Sequence, residues 1–151
     1  SDNSLSGAGA VYIFERSGVT WAQTAYIKAD EPDGGDNFGD SLSLSGERLL
    51  IGAYGEDSSF SGIGGTPDDA LNSSGAAFLF TRSAGTWTQR AFIKAPNPDR
   101  LDSFGFTTVL TPNYIALGSY REQILATGIN GDQSDNSGFD AGAVYVWRHA
   151  L

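Results

Sequence analysis

The sequence has no cysteine, no methionine and one histidine, and its nine Lys and Arg residues face eighteen Asp and Glu. Without cysteine there is no disulfide framework, no thiolate nucleophile and no Cys-ligated zinc, although that absence does not fix the compartment. His149 stands three residues from the end and reads as an exposed terminal residue, a poor base for a Ser-His-Asp triad. No H-E-x-x-H, G-x-S-x-G or P-loop pattern occurs. The formal charge of −9, with no basic patch, argues against nucleic acid, whose phosphates are held by Lys and Arg. No apolar run approaches the roughly 20 residues that span a bilayer as a helix. Neither an initiator Met nor a signal peptide opens the chain, as expected of a processed or excised piece. No stretch has a convincing 3.6-residue apolar period, so helix is not expected.

What the chain does have is glycine, in 20 copies, and a repeat. Gly9-Ala10-Val11-Tyr12-Ile13-Phe14 returns as Gly75-Ala76-Ala77-Phe78-Leu79-Phe80, 66 positions on from 9 to 75. It returns again as Gly142-Ala143-Val144-Tyr145-Val146-Trp147, 67 positions on from 75 to 142. At the same spacing Trp21 answers to Trp87, Ile27-Lys28-Ala29 to Ile93-Lys94-Ala95, Phe38-Gly39 to Phe104-Gly105, and Ile51-Gly52-Ala53 to Leu117-Gly118-Ser119. Fixed-period self-similarity is the mark of a repeat architecture.

Each unit reads as four short strands. Val11 to Phe14 is apolar throughout, as in a strand covered on both faces. After the turn at Gly18, Trp21, Ala25, Ile27 and Ala29 alternate with Thr24, Tyr26 and Lys28. The second copy sets Trp87, Ala91, Ile93 and Ala95 against Arg90, Phe92 and Lys94, the pattern of an outer strand with one wet face. Ser41 to Leu44 has the small residues that suit a crowded innermost strand, and Leu49 to Ala53 reads as buried. Two loops, Tyr54 to Ser74 and Tyr120 to Ala141, are long enough to be functional or disordered.

Phe38-Gly39 followed by Ile51-Gly52-Ala53-Tyr54, and Phe104-Gly105 followed by Leu117-Gly118-Ser119-Tyr120, resemble the FG-GAP repeat of integrin-α-type β-propellers. Trp21-Ala22-Gln23 and the Gly-Ala-Val-Tyr runs resemble its bacterial extracellular branch. The resemblance implies an all-β fold of β-propeller-type four-stranded antiparallel blades, each running from a Phe-Gly strand to a Trp-x-Gln strand. Residues 1–37 are then the last two strands of a blade with a linker, 38–103 a complete blade, and 104–151 three strands of a further one. Two blades plus one strand do not close within one chain, since closed propellers have about 4–8 blades. Ser1-Asp2-Asn3-Ser4 matches Ser134-Asp135-Asn136-Ser137, so the chain starts and stops in the same phase. It is expected to be a piece of a longer propeller, a ring-forming subunit, or a subunit that adds head to tail as a filament.

Candidate sites are few. Calcium takes carboxylate, amide and carbonyl oxygens from Gly-containing loops. Asp30, Asp33 and Asp36 form one such group, and Asn130, Asp132, Asp135 and Asp140 another, though Asp, Asn and Gly also simply make turns. The family's Asp-x-Asp-x-Asp-Gly calcium loop does not occur. Glu56-Asp57 reads as solvated loop charge rather than an acid–base pair. Tyr54 and Tyr120, where strands enter the long loops, are candidates to stack on a sugar. Val144, Tyr145, Val146 and Trp147 form an apolar edge strand able to complete a neighbour's sheet. Asn72-Ser73-Ser74 fits the N-glycosylation sequon. The expectation is a non-enzymatic extracellular or cell-surface module, structural or adhesive. Its partners would be other blades of the chain, copies of itself, or a surface protein or glycan. A self-assembling filament subunit and a carbohydrate-binding module are the alternatives.

Overall fold

The computed structural model describes residues 4–148, so His149 lies outside the described residues. Nine strands form in chain order: β1 Val11–Ser17, β2 Thr20–Ile27, β3 Ser41–Ser45, β4 Arg48–Ala53, β5 Ala76–Ser83, β6 Thr86–Ile93, β7 Phe104–Leu110, β8 Tyr114–Ser119 and β9 Ala143–Arg148. They make three antiparallel sheets of two, four and three strands, ordered β1-β2, β3-β4-β5-β6 and β7-β8-β9. No helix occurs among the described residues. The all-β, blade-type reading therefore holds, with one whole blade between an outer half-blade and a three-stranded one.

Two apolar layers bind the sheets. In the first, Val11, Ile13, Ala25 and Ile27 of the half-blade pack on Leu49, Ile51, Phe78 and Phe80 of the central blade. In the second, the other face of the central blade, with Leu50, Ala77, Leu79 and Ile93, meets Phe104, Leu110, Ile115, Leu117 and Tyr145. The central strands β4 and β5 thus serve both layers with alternate residues, which is why they read as continuous apolar runs. Truncating Phe78 in one layer or Leu79 in the other carries a cavity cost of about 2–5 kcal/mol.

The two motifs that define the repeat are what join one blade to the next. Gly9 and Gly75 take φ of 77° and 80°, and each makes a parallel bridge to the Phe of the next Phe-Gly pair, Phe38 or Phe104. A Cβ on Gly75 would stand 2.2 Å from the Phe104 carbonyl oxygen, so backbone approaches backbone only because both motifs carry glycine. The inner strands are tied by side chains: Ser41 Oγ donates to Gly105 O at 2.8 Å, and Ser43 Oγ accepts from Leu110 N at 3.0 Å. This is the use of the small residues expected at an innermost strand.

Three strand-level expectations are corrected. First, β1 is covered on one face only: Tyr12 and Phe14 are 55% and 52% exposed, because among the described residues no sheet packs on that side, whereas β5 in the central blade is buried from Ala76 to Phe80. Second, Trp87 does not share a face with Ala91 and Ile93. A register shift opposite Leu79/Phe80 leaves Arg90 without a partner, so Trp87 packs in the first layer while Ala91 joins the second. The same slip in β1–β2, opposite Ile13/Phe14, separates Trp21 from Ile27 and leaves it exposed. Third, of the residues expected on the wet face of the outer strand, Arg90 is exposed but Phe92 is buried and Lys94, just beyond β6, wholly so. The loop 54–75 folds back over them, bridging Ile63 to Ile93 and placing Phe60 beside Phe92.

Candidate functional site

The chemistry gathers at one end of the sheets, where the strands leave for the long loops. Glu56 follows β4, Lys94 follows β6 and Ser74 precedes β5, so three elements converge. Lys94 Nζ donates to Glu56 Oε2 at 2.8 Å and to Ser74 Oγ at 2.7 Å, and Ser74 Oγ donates to the Ser58 carbonyl at 2.8 Å. All three side chains are buried. Burial pushes the Glu56 carboxyl up and the Lys94 ammonium down, and their mutual attraction opposes both shifts. Glu56 is therefore no solvated loop charge, which corrects that reading. Its neighbour Asp57 faces the loop instead, where its carboxylate accepts from Ser73 N. Leaving either charge of such a pair alone in the interior costs about 3–5 kcal/mol, so the pair locks the loop onto β6.

The same framework recurs one blade on, with a difference. Glu122 stands 66 positions after Glu56 and is also buried. No lysine meets it among the described residues. Tyr145 Oη donates to Glu122 Oε2 at 2.7 Å, and Gln123 N donates to Oε1. The same hydroxyl lies 3.0 Å from Asn97 Oδ1, a second acceptor, so its one proton serves either Glu122 or Asn97. Asp102 lies close by, wholly buried, with Oδ2 accepting from Asp99 N and Oδ1 without a partner among the described residues. Burial first, and the Glu122 charge second, raise Asp102 to about 7. Burial likewise raises Glu122. The equivalent Asp36 of the central blade is raised to about 6, again chiefly by burial.

The calcium candidates are placed as follows. Asp36 is buried and accepts from Asp33 N at 2.8 Å, while Asp30 and Asp33 are exposed. Asp132 Oδ1 accepts from Ser134 N and Oγ, Asp135 Oδ1 from Ser137 N, and Asp140 pairs with Arg121 at 3.3 Å. Asn130 sits in the same loop with φ 56°. Among the described residues no three acidic or histidine side chains converge on a point where a cation would sit. Asp36, Asp132 and Asp135 are engaged in shaping turns.

The two tyrosines differ. Tyr54 is half-buried, edge-on to Phe106 of the next blade at 5.7 Å between ring centres. Tyr120 lies 4.5 Å from Phe106 and is exposed, beside a shallow groove of about 460 Å³ running to Ala143 and Val144. In the edge strand, Tyr145 is buried and Trp147 half-buried against Phe104, while Val144 and Val146 are 72% and 62% exposed. One edge of β9 pairs with β8, and among the described residues no strand lies beside the other.

These features define an all-β repeat chain of antiparallel sheets of two, four and three strands, consistent with one whole and two partial propeller blades. Residues 21–80 match the family model of the FG-GAP repeat, from the Trp-x-Gln strand β2 through Phe-Gly to the apolar run of β5. That stretch is an FG-GAP repeat. No curated protein matches the chain. No helix among the described residues is long and apolar enough to cross a membrane, which says nothing of a β-barrel.

Proposed function

We propose that the chain is a non-catalytic extracellular module, structural or adhesive, that works by docking its terminal blades onto copies of itself. The observation that carries this reading is the match between its two bare ends. At the C-terminal end Val109, Ala116, Val144 and Val146 make an aliphatic face, all but Ala116 exposed. By the repeat these positions answer to Ser43, Leu50, Ala77 and Leu79, a face that the next blade covers with Phe104, Tyr145 and Trp147. At the N-terminal end Tyr12, Phe14, Trp21 and Tyr26 are exposed and answer to Phe78, Phe80, Trp87 and Phe92, the aromatic side of the same kind of layer. Gly142 keeps φ 76° like Gly9 and Gly75, but among the described residues a Cβ there would meet the Tyr120 carbonyl oxygen at 3.4 Å rather than the backbone of a Phe-Gly pair. An aromatic face of one copy on the aliphatic face of another is a heterologous contact, giving a ring if the rotation closes and a filament if it does not.

Sedimentation of the chain at micromolar concentration tests this. The wild type is expected to self-associate, and Val146→Asp and Tyr26→Asp are each expected to be monomeric on their own. Because each variant keeps one good face, mixing the two should give a stoichiometric heterodimer. A strictly monomeric, folded wild type overturns the reading. The groove beside Tyr120 supports a second, carbohydrate-binding reading, which a blank glycan array would dismiss.

A further inference from the structure

Lys94 and Glu56 of the central blade are placed as reactants as well as an ion pair. The sequence has two lysines, at 28 and 94. Lys28 is half-buried, whereas Lys94 is wholly buried and meets a buried acid. Its backbone is pinned as firmly as its head. Lys94 N donates to Gly62 O at 2.8 Å and Gly62 N donates to Ala95 O at 3.2 Å, so loop 54–75 grips the chain at the lysine itself. Nζ then meets Glu56 Oε2 at 2.8 Å, with Cδ one bond beyond, while Ser74 Oγ at 2.7 Å accepts a second N–H and fixes the direction of the amine. Ser58 N–H donates to the same carboxyl. Burial favours the neutral acid and the neutral amine over the ions, and the charge of Asp36 pushes Glu56 further the same way. A neutral amine held against a neutral carboxyl in a dry site is the reactant pair for an amide, and the fixed contact replaces the bimolecular encounter that the condensation needs in water.

We infer that Lys94 Nζ and Glu56 Cδ join as an amide once the chain has folded, a covalent staple between loop 54–75 and the end of β6 in a protein without cysteine. The reaction balances with no co-reactant. A proton passes from Nζ to the carboxylate along the 2.8 Å hydrogen bond, leaving amine and acid. The nitrogen lone pair attacks Cδ, and the Ser58 N–H supports the oxygen on which negative charge gathers. The Nζ–Cδ bond forms and one Cδ–O bond breaks. The departing hydroxyl takes a proton from the nitrogen and leaves as water. The product keeps one N–H, which Ser74 Oγ accepts. The link joins positions 38 apart and closes a ring containing β5 and nearly all of the loop and β6, restricting the unfolded chain as a disulfide does. It forms whether or not the chain self-associates.

The test is the intact mass of the full chain after denaturation. The mass is expected to fall one water short of what the sequence requires. It should return to the full value in Lys94→Arg, whose guanidinium keeps the charge but forms no such amide. Tryptic digestion locates the loss: Lys28 should be cut, Lys94 should resist, and the peptides carrying Glu56 and Lys94 should travel as one branched species. That map needs no variant, so it decides the matter even if Lys94→Arg does not fold. A full mass after prolonged incubation of the folded chain at neutral pH, with Lys94 cut by trypsin, overturns the inference. So does a water lost elsewhere, as by ring closure at Asp33-Gly34.

Discussion

Asp102 and Asp36 are carboxyls held above their ordinary pKa of 3.8, to about 7 and about 6, because burial disfavours their charged forms. The folded chain therefore keeps protons that the unfolded chain releases between about pH 4 and pH 7, and stability from these groups falls as pH rises through that window. Asp68, Asp132 and Asp135 act in the opposite sense. Hydrogen bonds from turn N–H and hydroxyl groups lower them, so they contribute above 3.8 and lose their share as pH falls through and below it. The expected optimum is mildly acidic. Thermal melts should give a higher Tm at pH 5 than at pH 8, and Asp102→Asn should narrow the gap; a Tm that climbs from pH 5 to pH 8 contradicts the assignment. These buried acids were not legible in the sequence. Alternation says which side of a strand Lys94 points to, but not that loop 54–75 will fold over that side. The recurrence of Glu56 at Glu122, with lysines at 28 and 94, is the one signal that marks them as partners rather than solvated charges.

Among the elements, the motifs that meet at the blade junction are the most conspicuous in the sequence, though only the structure brings them together, and the strand faces are the least legible. Gly-Ala-x-aromatic and Phe-Gly are conspicuous because they meet, backbone on backbone, at Gly75 and Phe104. Gly75→Ala should be severely destabilising in urea titrations, since its Cβ would lie 2.2 Å from a carbonyl oxygen. At Gly142 the nearest atom to such a Cβ is 3.4 Å away, so Gly142→Ala should cost only the backbone penalty of about 1–2 kcal/mol. Equal losses at the two sites would show that the junction does not work as described. The bulges are the opposite case. A period of two carries Trp87 onto the face of Ile93 unless one residue is skipped, and nothing local distinguishes Arg90 as that residue. The skip is fixed by packing: it turns Trp87 toward Phe80 and the first layer.

Across the whole molecule, protection should be graded from the middle outward. β4 and β5 are buried on both faces, while β2 has one paired edge and β9 faces the groove. Amide hydrogen exchange should be slowest in Leu49–Ile51 and Ala77–Phe80 and fastest in Thr20–Thr24, following local burial. Uniform protection across the three sheets would mean that the ends are covered, and would point to assembly under the conditions used. A charge of −9 sets mutual repulsion against general aggregation of the exposed apolar faces. The division into two, four and three strands was readable in advance because each blade is a local unit, a few turns linking neighbours in both chain and space. Alternation and repeat period survive without any knowledge of what lies across the interface.

By itself the sequence determined the strands, their grouping into blades, and the motifs that join one blade to the next, since all of these rest on short-range pattern and on glycine's backbone freedom. Only the tertiary structure decided which faces stayed dry, where the bulges fell, and that Glu56 found a lysine while Glu122 found a tyrosine. Those outcomes depend on what packs across a gap from residues distant in the chain, and solvent exclusion is a property of the assembled layers rather than of any one strand.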